Sequence, residues 1–280
     1  MMRRSWIVCC ILAFCCSISA QEEDANRYTS HALMGGVGLA NVFDNYLSPL
    51  EYTGIEARLQ RETFRKTKLM EGNVFVQTLL NVNAYTTHSP AENAHMYGGL
   101  VNWNISWLYK WELNNRIKVL AGPMADMNGG FIYNERNSNN PAQAKAYANI
   151  GVNARVIYNF NLFHKPATLH YLASLPLLGA MFSPQYGESY YEMFGIKKGG
   201  SHNVCLTTPF SQPSLRHAIY LDYPISNTTL RIGYVGDLQQ HKVNNLKGHV
   251  YSHALMFGFV KNFKLIKQKD KDHVKTPYQL

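Results

Sequence analysis

Strict alternation of apolar and polar residues, held over fifteen or more positions, is the feature that most narrows what this chain can become. From 97 to 111, Tyr97, Gly99, Val101, Trp103, Ile105, Trp107, Tyr109 and Trp111 share one parity, while Asn102, Asn104, Ser106 and Lys110 share the other. Residues two apart lie on the same side of a strand, so the segment has one apolar and one largely polar face. On a helix the same residues would scatter round the whole circumference. Residues 146–162 repeat the pattern. Ala146, Ala148, Ile150, Val152, Ala154, Val156, Tyr158, Phe160 and Leu162 alternate with Tyr147, Asn149, Gly151, Asn153, Arg155, Asn159 and Asn161. Strands of soluble proteins run about 5–6 residues. A tilted strand that spans a bilayer needs about 9–11, and a longer one projects beyond it. Length and alternation together predict a transmembrane barrel.

Composition points the same way. Charged residues make up 16% of the chain and aromatic residues 12%, with 18 tyrosines, yet the mean hydropathy is −0.23. After the first twenty residues no segment is apolar for about 18 positions, which excludes a bundle of membrane helices. Few charges, many aromatics and a polar mean fit lipid outside and polar groups inside. The first twenty residues read as an export signal: Arg3 and Arg4, then an apolar run from Trp6 to Cys16, then Ser17-Ile18-Ser19-Ala20. We take Ala20 as the boundary, with Ser19 as the other choice. Cys9, Cys10, Cys15 and Cys16 leave with that signal, so Cys205 stands alone in the mature chain. A fold stapled by disulfides and a multi-cysteine zinc site are both excluded. Loss of Arg3 and Arg4 takes the formal charge from +9 to +7. That basic balance suits outer-membrane lipid head groups, and export argues against nucleic acid.

Ten strands are expected, near 30–42, 53–66, 73–87, 96–112, 116–128, 145–162, 167–180, 213–223, 229–239 and 247–263. Val74, Val76, Leu80, Val82 and Ala84 are expected to face lipid, as are Leu230, Ile232 and Tyr234. The fold class is therefore all-β, a single antiparallel transmembrane barrel of about ten strands, with about 12 as the alternative. Residues 21–263 would form the barrel and 264–280 a lysine-rich tail. Short connections at 113–115, 163–166 and 224–227 alternate with longer ones at 129–144 and 181–212, which would put both ends of the barrel in the periplasm. Ser189 to Phe194 read as a short helix and Gly199-Gly200 as a turn. Ser-His-Ala-Leu-Met occurs at Ser30–Met34 and again at Ser252–Met256, in the first and last strands.

The signal, the alternating strands and a last strand ending Gly258-Phe259-Val260-Lys261-Asn262-Phe263 resemble outer-membrane β-barrel families of Bacteroidota, most closely one of unknown function. The resemblance implies recognition of the terminal strand by the barrel-assembly machinery. It implies no chemistry.

Candidate chemistry is sparse. A Ser/His hydrolase of the outer membrane needs its base to reach the serine hydroxyl. Ser252-His253 and Ser30-His31 are adjacent and so lie on opposite faces, leaving cross-strand pairs such as Ser30 with His253. A barrel protease would place His88, His95, His202 or His241 beside Asp126 or Asp237 at the outer rim. His202, Glu188 and Glu192 could meet in a loop, without metal-ligand spacing. Trp103, Trp107 and Trp111 read as a lipid-facing stripe. Residues of inward parity include Glu56, Arg58, Glu62, Lys110, Glu112, Lys118, Arg155, Arg216, Asp222 and Arg231. Opposite charges inside a narrow barrel would pair, because unpaired burial is costly. Glu56, Arg58, Glu112, Arg155 and Arg231 are the candidate interior network. The chain is thus expected to be a non-enzymatic outer-membrane protein, structural or binding a ligand or partner through its outer loops, without a cofactor. A small passive pore and a lipid hydrolase are the alternatives.

Overall fold

The computed structural model describes residues 28–138, 140–193, 203–226 and 228–264. The expected signal, the tail from 265, His202 and Gly199-Gly200 lie outside them. The strands are β1 (Tyr28–Asp44), β2 (Ser48–Lys66), β3 (Val74–His88), β4 (His95–Glu112), β5 (Ile117–Asn134), β6 (Ala142–Leu162), β7 (Lys165–Phe182), β8 (Val204–Thr207), β9 (Leu215–Ile225), β10 (Thr228–Val243) and β11 (Leu246–Lys264). Neighbours along the chain pair antiparallel except β8 with β9, β1 pairs with β11, and β7 pairs with β6, β8 and β9. Ten long strands therefore close a ring. The short β8 lies outside the ring's count, carrying on beside β7 where β9 stops.

The register sets the tilt. From Val37, paired residues lead one way round through Ala57, Ala84, Gly99 and Phe131 to Ala144. The other way they lead through Leu255, Tyr234, Ile219 and Tyr171 to Val156 on the same strand. A stagger of about a dozen residues inclines the strands strongly to the barrel axis, which lets strands of this length span a bilayer.

The expected faces hold. On β4, Tyr97, Val101, Trp103 and Trp111 are exposed, whereas Asn102, Asn104 and Ser106 are buried. On β6, Ile150 and Val152 face out, and Asn149, Asn153 and Arg155 face in. Val74 is the exception, buried where Thr67 donates two hydrogen bonds to its carbonyl and draws the 67–73 turn against it. The strands also run further than the sequence implied. The 129–144 connection shrinks to 135–141, because β5 continues through Gly129-Gly130 to Asn134. The pair looks like a turn, but Gly130 is needed for a close approach, since a Cβ there would run into the Gly99 carbonyl. Asn244-Asn245, both at positive φ, join β10 to β11 as a two-residue hairpin in place of a loop. On β7 an extra residue, Leu177, shifts the register against Ile150 and Gly151 and swaps the parity of the residues after it.

Both described chain ends lie at one end of the barrel, called here the terminus end. The longest connection, 183–214, lies at the other, the loop end. Each end of the lumen is filled by apolar side chains. Phe64, Phe75, Leu108, Leu120 and Ile157 pack at the terminus end. Val42, Leu47, Tyr52, Tyr85, Met96 and Ile132 belong to the packing at the loop end. Both copies of the pentapeptide contribute a methionine, Met34 and Met256, to a third cluster on one wall between them.

Candidate functional site: the charge network of the lumen

Two polar clusters occupy the space between the apolar ends. The first is centred on Glu62. Its carboxylate forms an ion pair with Arg155, Nη1 at 2.8 Å, and accepts from Arg231 Nη1 at 2.5 Å, linking β2 to β6 and to β10. Arg231 also grips Asp222 with two parallel bonds of 2.6 and 2.7 Å, the fork geometry that guanidinium offers a carboxylate. His170 Nε2 lies 3.2 Å from the same carboxylate. Gln77 donates to Glu62 at 2.8 Å, and Asn153 donates to Gln77 and to Ser106. Aromatic faces back both cations: Arg155 lies 4.8 Å from the Phe64 ring centroid and Arg231 5.1 Å from that of Tyr220.

The second cluster lies nearer the loop end. Arg58 donates to Glu56 at 2.7 Å and to Ser252 at 2.9 Å, and its Nη1 is 3.6 Å from Asp237. Arg216 donates to Asp237 at 3.1 Å and reaches Asp126 at 3.4 Å. Asn102 and Asn128 each donate to Asp126 at 2.6 Å. One cavity of about 20 Å³ borders this cluster, and a second of the same size lies nearer the mouth beside Lys145 and Tyr147, each large enough for one water. Asn149 and Gln212 line the first, and each has a buried polar atom with no protein partner, Nδ2 and Oε1. Closer still to the mouth, Lys145 pairs with Asp44 at 2.6 Å.

Of the candidate network residues, Glu56, Arg58, Arg155 and Arg231 lie buried in these clusters. Glu112 does not. It stands half exposed at the terminus-end rim, where Lys110 at 2.7 Å and Lys118 at 3.8 Å surround it, and the hydrogen bond from Lys110 lowers its pKa. Its parity was right, but β4 ends there, so the side chain has passed the end of the lumen.

A family model described as "Protein of unknown function (DUF3316)" matches residues 6–270. The chain belongs to this DUF3316 family. No curated protein matches it. Among solved structures it is similar to the transport unit of the autotransporter AIDA-I from Escherichia coli, at 8% identity over 91% of this chain and 96% of that one, with a TM-score of 0.44. It is also similar to the outer membrane protease OmpT from Escherichia coli, at 7% identity over 88% and 99%, TM-score 0.42. Neisserial surface protein A is similar at 12% identity over 84% and 97%, TM-score 0.35. The closed sheet with apolar residues outside and charges inside is itself the architecture of an outer-membrane barrel.

The other candidate residues of this DUF3316 chain are kept apart. Ser30 points inward and pairs with Asn262, whereas His253 points outward and pairs with Leu39. Asp126 and Asp237, expected at the rim, sit well inside, because β5 and β10 continue past them to Asn134 and Val243. Their partners are Arg216, Asn102, Asn128 and Gln239. His88 and His95 face each other across β3 and β4, exposed at the loop end. Glu192 exchanges hydrogen bonds with Ser189 at the start of a helical turn. Glu188 accepts from Asn203 and from the Gln185 backbone. His170 was missed as a network member: a lone histidine between Leu169 and Tyr171 carries no pattern until Asp222 and Arg231 are folded beside it.

Proposed function

We propose that this barrel is a non-enzymatic outer-membrane protein whose lumen is a structural brace and whose working surface is its loop end, facing out of the cell. The observation that carries the reading is Glu62, which joins β2 to β6 and β10 across the lumen through two fully buried arginines. A pore would leave such residues hydrated. Outward orientation of the loop end is supported by the termini gathering at the opposite end and by the length of the 183–214 connection. Tyr186, Tyr191 and Phe210 are exposed along that connection, with Phe210 at 96%. The reading needs no cofactor. It includes export on residues 1–20, a Bacteroidota source and insertion by the barrel-assembly machinery through the Gly258–Phe263 segment, all of which rest on the sequence.

Planar-bilayer recording tests it. The purified barrel is expected to give no large steady conductance at neutral pH. A stable open level of porin-like size would overturn the reading in favour of a passive pore.

A further inference from the structure

The β10–β11 hairpin carries two lysines that form no ion pair among the described residues. Lys242 and Lys247 are direct cross-strand partners, both exposed on the outward face beside the Asn244-Asn245 turn. Like charges opposite each other on a sheet repel. Among the described residues neither has an ion-pair partner. Such a pair is tolerable when an anion shared from outside bridges it.

A groove of about 340 Å³ runs beside the pair, between the loop-end edges of β1, β2, β10 and β11 and the 208–214 segment. Lys242 holds that segment in place, its N–H donating to the Ser211 carbonyl at 2.7 Å. Phe43, Phe210 and Pro213 give the groove an apolar side. Glu51 is its one acid, within 3.4 Å of Asn41 Nδ2, and His249 lies between acid and lysines with its ring stacked on Tyr251. Below it, past a band of Asn41, Thr53, Tyr251 and His253, the outward residues of β1, β2 and β11 are Leu39, Ile55 and Leu255, all exposed and apolar. The groove therefore sits on the loop-end side of the lipid belt, above the polar and aromatic band that marks its edge, where head groups and their sugars lie.

We propose that this groove binds the phosphorylated sugar head group of an outer-leaflet glycolipid. Lys242 and Lys247 take the phosphate, Glu51 accepts from sugar hydroxyls, and Phe43 with Phe210 flanks the sugar and the first carbons of the acyl chains. The inference rests on the outward orientation of the loop end. It does not depend on whether the lumen is closed, which conductance tests separately.

Native mass spectrometry of the full barrel in detergent, with added lipid, reads the site. Three probes are offered: bisphosphorylated lipid A, the same lipid with its phosphates removed, and inorganic phosphate. The phosphorylated lipid should be retained and the dephosphorylated one lost. The Lys242→Gln/Lys247→Gln double variant should bind the former about tenfold more weakly or worse, since each lysine near an anionic surface matters by a factor of several. The Lys242→Arg/Lys247→Arg variant should keep binding, and an unchanged heat-modifiable gel shift confirms that both variants are folded. Equal retention of the two lipids, or equal binding by the Gln variant, would overturn the proposal. So would displacement of the lipid by millimolar inorganic phosphate, which would make this a site for the free ion.

Discussion

The Glu62 cluster and the Asp126–Asp237 cluster fill one lumen with the same kinds of residue, but they are finished differently. Around Glu62, two carboxylates face two guanidiniums, Arg155 and Arg231 are fully buried, and each cation lies over an aromatic ring. Around Asp126, three carboxylates (Glu56, Asp126 and Asp237) face two guanidiniums, and Arg216 keeps 11% of its side chain exposed. A water-sized cavity adjoins the second of these clusters, lined by Asp126, Arg216 and Asp237. A buried charge without compensation is costly, so a charge-matched, fully buried cluster must form completely or fail. The other, with a spare negative charge and room for water, has ways to adjust. The terminus-end half of the lumen is thus the rigid half.

The largest expected effect tests that difference. Glu62→Ala strips Arg155 and Arg231 of a shared partner and should cost about 3–5 kcal/mol in denaturant unfolding of the detergent-solubilised barrel. Asp126→Ala leaves Arg216 with Asp237 and relieves the spare charge, so it should cost about 1–3 kcal/mol. If the two variants lose stability equally, the contrast between the clusters is wrong.

A second comparison sharpens the boundary between brace and belt. Val152 faces lipid and its neighbour Asn153 belongs to the Glu62 side of the lumen, bonded to Gln77 and Ser106. Val152→Arg should cost about 2–4 kcal/mol if it lies near the midplane. Asn153→Ala removes two neutral hydrogen bonds of about 1 kcal/mol each. Folding yields measured by the heat-modifiable gel shift should rank accordingly, and a reversed rank would mean that the faces of β6 have been exchanged.

What could be read without coordinates was whatever depends on parity. Tyr97 to Trp111 and Ala146 to Leu162 declare their faces because each side chain's direction follows from its neighbour's. Glu56, Arg58, Arg155 and Arg231 could be placed inside on that basis alone. The pairings could not, because they depend on register between strands far apart in sequence: Glu62 meets Arg231 across 169 positions. Strand ends were also beyond reach. Gly129-Gly130 and the stretch before Leu246 carry turn-like residues, yet the first is a close strand contact and the second a two-residue hairpin. That error of length displaced Asp126 and Asp237 from the lumen to the rim, and misplaced Glu112 the other way.

The smallest expected effect lies at the mouth, above the looser cluster. Tyr46, in the β1–β2 turn, donates to the Glu188 carbonyl at 2.9 Å and meets the Tyr190 ring edge-on at 6.2 Å. Tyr190 in turn accepts the Ala144 N–H at 2.7 Å, so the two tyrosines tie the start of the 183–214 connection to β6. Tyr46→Phe loses a single hydrogen bond, about 1 kcal/mol or less of local stability, and should leave global unfolding unchanged. Burial pushes the Tyr46 hydroxyl up to about 12, with Tyr190, Asp44 and Glu188 adding to the shift. Its folded value is raised above the ordinary value of 10.0. The tether is therefore complete below about pH 10 and lost as pH climbs towards about 12. Protease nicking of the 183–214 connection should rise over that window in the unmutated protein. In Tyr46→Phe the nicking should already be raised at pH 8 and should climb less through the same window. A variant that tracks the unmutated protein at every pH would show that the mouth is held by something other than Tyr46, and the contrast between a rigid terminus-end half and an adjustable loop-end half would then stop short of the mouth.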